Sequence, residues 1–277
     1  MKKASVGKPI VASPYVLWSA IFIIVPLIMV VYYSFTDASG SFTLSNITTI
    51  LKPNYLRFFG QSILFAAIAT VITLLISYPL AYFMTKTAIG TQATLMLLVM
   101  LPMWMNLLIR TYSLSNILER NGIINTFLDS LGFEKLQLIN TSGAVILGMV
   151  YNFIPYMILP IYSVLSKLDN RLLEASHDLG ANGFVTLRRV ILPLSMPGVI
   201  SGITMVFVPS VSTFYISQKL GGIHNELIGD VIEQQFKQYS NYNLGATLSL
   251  VLMVMIIISL AVMNKFAGDE DDGGVII

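Results

Sequence analysis

The sequence predicts an all-α, polytopic membrane protein with six transmembrane helices. Three observations carry that reading. Of its 277 residues, 55% are hydrophobic and only 11% are charged, where a soluble domain carries about 25% charged residues. The mean hydropathy is +0.77. The apolar residues also gather into runs of about 20, the length a helix needs to cross a hydrocarbon core. The same composition excludes other classes. A net charge of +2, without a basic stripe interleaved with aromatics, leaves no footprint for nucleic acid. The absence of cysteine rules out a disulfide framework and thiolate chemistry.

In order, the expected spans are 15–35, 62–84, 93–114, 144–165, 196–214 and 244–266. The first follows the basic segment "MKKASVGK". It is longer than the roughly 7–15 residue core of a signal peptide, and no small-x-small cleavage site follows, so it is expected to be a retained helix. None of the six contains a carboxylate; Arg110 lies near the end of the third. Pro26, Pro79, Pro102, Pro155, Pro160 and Pro209 fall within spans. Each frees a carbonyl and bends its helix, which suits helices arranged around a cavity.

Orientation follows Lys and Arg, which stay cytoplasmic. With the N-terminus inside, nine basic residues are inside: Lys2, Lys3, Lys8, Lys86, Lys167, Arg171, Arg188, Arg189 and Lys265. Six are outside in longer loops: Lys52, Arg57, Arg120, Lys135, Lys219 and Lys237. Both termini are therefore expected in the cytoplasm. Outside, 225–236 places Leu227, Ile228, Val231, Ile232 and Gln235 on one helical face, a pattern for an interfacial or docking helix. The tail "GDEDDGG" reads as a solvated acidic end.

The chain has no P-loop, so it does not bind ATP by that route. His177 and His224 are its only histidines, too few for a zinc site. No cofactor is expected. Proton-coupled carriers keep ionisable groups in their spans because each costs about 2.5–3.5 kcal/mol there. With no carboxylate or histidine in its spans, this chain is expected to take its energy from a partner.

One polar insert interrupts the pattern: "LLEASHDLGANGFVTLRRVILPLSMPG", 172–198. Asp169 or Asn170 can cap a helix start. Leu168, Leu172, Ala175 and Leu179 follow on one apolar face. Arg171 and Glu174 sit at i,i+3, able to pair. Gly180 supplies a left-handed stop. Phe184 to Ile191 forms a second short helix, ended by Pro193, with Pro197 opening the fifth span. The result is a cytoplasmic helix–turn–helix, either a connecting loop or a partner-docking element.

The spacing Glu174-Ala175-Ser176-x3-Gly180-x9-Val190-x-Leu192-Pro193 resembles the EAA motif of permease subunits in ATP-binding-cassette importers. It departs at Ser176 and Val190, where the family usually has Ala and Ile. The segments 101–113, 151–169, 192–202 and 214–236 resemble the polyamine (spermidine/putrescine) branch of that family.

The resemblance implies a type I importer permease fold, with a core over 61–266 that follows a segment 1–60 and precedes the tail 267–277. The EAA loop at 166–193 would be a coupling helix docked on a cytoplasmic ATPase. Glu174, Ala175, Asp178, Leu179 and Gly180 would form its contact, with Ser176, Val190, Leu192 and Pro193 completing the motif. The implied partners are two ATPase subunits, a sister permease in a heterodimer, an external substrate-binding protein, the bilayer and a polyamine. The chain itself would be non-catalytic, in a bacterial cytoplasmic membrane. Trp104, Asn106, Tyr151, Tyr156, Phe214 and Tyr215 are candidates for the substrate path, through cation–π contacts worth about 0.5–2 kcal/mol each. Permeases of the class for thiamine, phosphonate, iron or another organic cation stay open as alternatives, as more remotely does a channel or secondary carrier.

Overall fold

The computed structural model describes residues 14–267; Lys2, Lys3, Lys8 and the acidic run 269–272 lie outside them. The described residues are helical almost throughout, apart from one isolated bridge between Thr36 and Phe42. The helices are α1 Pro14–Ser34, α2 Ser45–Ile50, α3 Pro53–Thr85, α4 Ile89–Trp104, α5 Leu107–Leu118 and α6 Ile123–Ser130. They continue with α7 Ser142–Leu165, α8 Asn170–Asp178, α9 Gly183–Ser212, α10 Tyr215–Leu220, α11 Ile228–Lys237 and α12 Tyr242–Ala267.

Five of the described helices are long and apolar enough to cross a membrane: α1, α3, α7, α9 and α12. Counting the bent pair that begins with α4 as a further span raises the number to six. The chain divides into two compact units. One holds residues up to Leu56 together with Val231–Val254; the other holds Arg57–Asp230 and residues from Met255 on. In the smaller unit, the Asn243 side-chain amide donates to the Thr36 carbonyl (2.7 Å) and the Thr247 hydroxyl to the Ser34 carbonyl (3.3 Å).

The larger unit is built on α7 and α9. The buried side chains of Met149, Phe153, Met157, Ile158 and Ile161 on α7 share its core with Val199 and Val206 on α9. Glycine permits the close approach. A Cβ on Gly198 would stand 2.8 Å from the Pro160 carbonyl oxygen, and one on Gly202 would stand 2.7 Å from Met157 Sδ. This is small-x-x-x-small packing, which lets backbones touch where lipid supplies no hydrophobic drive.

Three sequence expectations are corrected here. The third span, expected as one helix over 93–114, is broken at Met105–Asn106 and bends by 94°. Met105 is extended (φ −79, ψ 144), and the Asn106 side chain accepts from the Leu108 N–H at 2.7 Å, starting a new helix with its own cap. The stop expected at Pro193 does not occur either. The helix runs from Gly183 through Pro193 and Pro197 to Ser212. Leu187–Ile191 is a π-helical turn, in which the Leu192 N–H bonds the Leu187 carbonyl five residues back. The widened turn relieves the clash between the Pro193 ring and the preceding turn. Finally, the amphipathic helix α11, expected to lie outside, does not present its apolar face: Leu227, Ile228, Val231 and Gln235 are buried. In the larger unit its start is capped by the Ser62 hydroxyl, which accepts from the Ile228 N–H at 2.8 Å.

Candidate functional site

The polar insert folds into a rigid bracket. Asp169 caps α8, its Oδ1 accepting from the Arg171 N–H at 2.9 Å. Gly180, at φ +78, ends the helix. Its N–H donates to the His177 carbonyl (2.8 Å), and the Ala181 N–H donates to the Ser176 carbonyl (3.1 Å). These two bonds make a Schellman motif, which requires the left-handed residue. The Asn182 side chain then accepts from the Val185 N–H at 2.9 Å and starts α9. Across the turn, the hydroxyls of Ser176 and Thr186 share a hydrogen bond of 2.9 Å. Every element of the bracket is therefore tied at both ends.

The faces of α8 are arranged differently from the periodicity reading. Leu173 is half-buried and Ser176 is buried. Leu172, Ala175 and Leu179 are exposed, Leu179 at 88% of its surface. Glu174, Asp178 and Gly180 are exposed as well. Leucines facing away from the protein on a short polar helix form a surface without an internal partner. Ser176, expected among the docking residues, instead points inward and clips the bracket shut. Val190, Leu192 and Pro193 lie not in the loop but at the π turn and the first turn of the following helix segment. Among the described residues Arg171 and Glu174 form no ion pair; exposed pairs are worth at most about 1 kcal/mol, too little to hold two long side chains together.

Near the bracket, the long helices are tied to one another. The Tyr78 and Ser195 hydroxyls share a hydrogen bond of 2.9 Å between α3 and α9. The Tyr162 hydroxyl donates to Gln92 Oε1 (2.9 Å), linking α7 to α4, while Gln92 Nε2 donates to the Thr87 carbonyl (2.8 Å). A cavity of about 370 Å³ lies beneath α8, lined by Lys86, Gln92, Ser166, Asn170, Leu173 and Ile191 among others. Thr186, Tyr78 and Gln92 were not found from the sequence. Single hydroxyls and amides in apolar runs were the only signal.

Four of the six substrate-path candidates fall at helix breaks, and two lie within α7. Trp104 and Asn106 flank the break between α4 and α5, both exposed. Phe214 and Tyr215 lie at the second break, where Thr213 is extended (φ −65, ψ 145) before α10 begins. Tyr151 is exposed on α7; Tyr156 is half-buried and sits edge-on to Phe153 at 6.3 Å. Arg110, near the end of the expected third span, is buried at 4% exposure. Its Nη1 donates to the Asn152 carbonyl at 3.4 Å. The Asn152 side chain donates to Thr111 (3.3 Å) and to the Gly148 carbonyl (2.9 Å). Among the described residues no group of three or more His, Asp or Glu is placed to hold a metal.

The architecture is a helical membrane core with a capped polar bracket before its penultimate span. The chain belongs to the family described as binding-protein-dependent transport system inner membrane component, whose profile matches residues 89–267. It is 41% identical over 256 residues to the "Spermidine/putrescine transport system permease protein PotB" of Haemophilus influenzae, covering 90% of each chain. The protein of the same description in Escherichia coli strain K12 is 39% identical over 253 residues, covering 88% of this chain and 92% of that one. Among solved structures, the fold is shared with a bacterial ABC transporter that imports the acidic polysaccharide alginate, with a TM-score of 0.77, 13% identity and 92% of each chain covered. The MetNI methionine ABC transporter in inward-facing form gives a TM-score of 0.52 at 18% identity, covering 76% of this chain and 92% of that one. The protein is thus a multi-pass inner-membrane permease of the importer class.

Proposed function

We propose that the chain is the membrane-spanning subunit of an ATP-driven importer and carries spermidine or putrescine across the cytoplasmic membrane. The observation that carries the solute is the 41% identity over 90% of the chain to a spermidine/putrescine permease. The permease core runs over 61–266 and works beside a sister permease, two cytoplasmic ATPase subunits and an external binding protein. Both termini are cytoplasmic, in line with the distribution of Lys and Arg. The chain performs no bond chemistry; ATP is hydrolysed by the ATPase.

The α8 bracket docks in the ATPase. Leu172, Ala175 and Leu179 supply the apolar contact, Glu174 and Asp178 the polar rim, and Gly180 a turn narrow enough for backbone approach. Because caps and the Ser176–Thr186 bond tie the bracket to α9, displacement of α8 moves the span that begins at Gly183. The permease has two states, open inward or outward, and ATP and the loaded binding protein bias them through differential affinity. The two helix breaks carry the exposed aromatic side chains of Trp104 and Phe214. These can pass a flexible polycation by cation–π contacts of about 0.5–2 kcal/mol each. The carboxylate-free spans favour passage over capture.

The test is reconstitution of the four components in proteoliposomes, followed by uptake of labelled spermidine, putrescine, thiamine, phosphonate and ferric iron. Polyamine uptake that requires ATP and the binding protein is expected. Uptake of another solute in preference to polyamines would refute the substrate assignment while leaving the importer assignment intact.

A further inference from the structure

We propose that the segment centred on α6 is a lipid anchor, seated in the outer leaflet beside the broken span. Within 14 residues it exposes six large apolar side chains: Ile123 (72%), Ile124, Phe127 (63%), Leu131, Phe133 (63%) and Leu136. Ile124, Phe127 and Leu131 follow at spacings of 3 and 4, one face of a helix. Asp129 and Lys135, 3.9 Å apart, form a polar edge outside that face. Contiguous apolar surface of this kind does not stand in water without a partner.

The surface is built, not accidental. Asn125 is fully buried on the inner side of α6. Its amide donates to the carbonyls of Glu119 (3.1 Å) and Leu136 (2.9 Å), and its carbonyl accepts from the Leu136 N–H (2.8 Å). One side chain thereby clamps both ends of the loop and holds the apolar residues outward.

The occupant is the bilayer because the patch continues the exposed apolar surface of the broken span. Leu108, Ile109 and Tyr112 on α5 are exposed and apolar, and only Glu119–Gly122 separate α5 from α6. An α6 of eight residues, about 12 Å long, lying flat with its apolar face about 5–10 Å into the headgroup boundary, fits an interfacial helix. Such an anchor fixes the outer end of α5 while the rest of the permease moves.

Because the chain has no cysteine, nitroxide labels can be placed one at a time at Ile123→Cys, Phe127→Cys and Asp129→Cys. The assembled importer is studied in phosphatidylethanolamine–phosphatidylglycerol vesicles, and the unsubstituted complex supplies the background from partner subunits. At positions 123 and 127, oxygen access is expected to exceed nickel-chelate access, approaching the ratio of a labelled lipid; position 129 is expected to favour the chelate. Chelate access at 127 equal to that at 129 would show a water-exposed face and overturn the proposal. Exclusion of both reagents at 127 would show a protein cover, from the sister permease or the binding protein, and overturn it equally. If Phe127→Cys does not assemble, Ile123→Cys and Leu131→Cys on the same surface give the reading.

Discussion

Replacing Gly180 tests the bracket at the position where its geometry is most demanding. Gly180 sits at φ +78 and donates to His177 in the bond that closes α8. Proline fixes φ near −65° and has no N–H. Gly180→Pro therefore forfeits the turn and its hydrogen bond together, at about 3 kcal/mol or more. Asparagine tolerates the left-handed conformation, and a Cβ at Gly180 meets no atom within 4 Å in the chain by itself. Gly180→Asn keeps the bracket, at a cost of about 1 kcal/mol, and adds bulk only toward a partner. The two variants separate shape from contact. In reconstituted importer, Gly180→Pro is expected to abolish uptake and the stimulation of ATP hydrolysis by the loaded binding protein, with membrane insertion unchanged. Gly180→Asn is expected to insert and fold normally; lost ATPase binding in that variant alone places the ATPase against the glycine. Normal uptake by Gly180→Pro would refute the lever reasoning.

Three further outcomes follow from the same packing. Ser176→Ala leaves the buried Thr186 hydroxyl without its partner, a loss of about 1–3 kcal/mol; adding Thr186→Val is expected to recover part of it, as a double-mutant cycle of thermal unfolding would show. Gly198→Val drives a side chain against the Pro160 carbonyl oxygen, 2.8 Å from the Cβ position. It is expected to destabilise by about 1–3 kcal/mol, read as a lower midpoint in thermal size-exclusion, whereas Gly60→Val, with nothing within 4 Å, shifts the midpoint less. In the loop between α1 and α2, hydrogen bonds from the Ser39 hydroxyl and then the Ser41 N–H hold the Asp37 carboxyl below its ordinary value. A depressed folded value means the loop gains stability above the unfolded value and loses it as pH falls through the folded one. Amide exchange at Ser41 is expected to lose protection over that acid range, and Asp37→Asn to remove the pH dependence.

Much of the site was legible because the signals are local. The Asp169 cap, the Gly180 stop and the polar loop before the fifth span need only neighbours in sequence, and each stands where the pattern put it. Periodicity grouped Leu168, Leu172, Ala175 and Leu179 on one face but does not say which face turns inward; in the structure Leu173 and Ser176 turn inward, and Leu172, Ala175 and Leu179 stay exposed. The break at Met105–Asn106 was hidden for a related reason. Hydropathy sums over a window and does not see one capping asparagine inside an apolar run. The Gly198-x-x-x-Gly202 spacing was present to be read, and its meaning depended on α7 lying against it.

The amino-acid sequence by itself determined that the chain is a membrane-spanning helical protein, where its spans lie, and where one capped polar bracket interrupts them. Chain-local hydrophobicity, proline and glycine chemistry and capping suffice for that. Tertiary structure alone decided that the third span turns by 94°, that the helix after the bracket runs on through three prolines, and that Arg110 is buried against Asn152. It also decided which leucines of α8 are left for a partner. Each of these depends on what the rest of the chain places against a residue, and that information is nowhere local in the sequence.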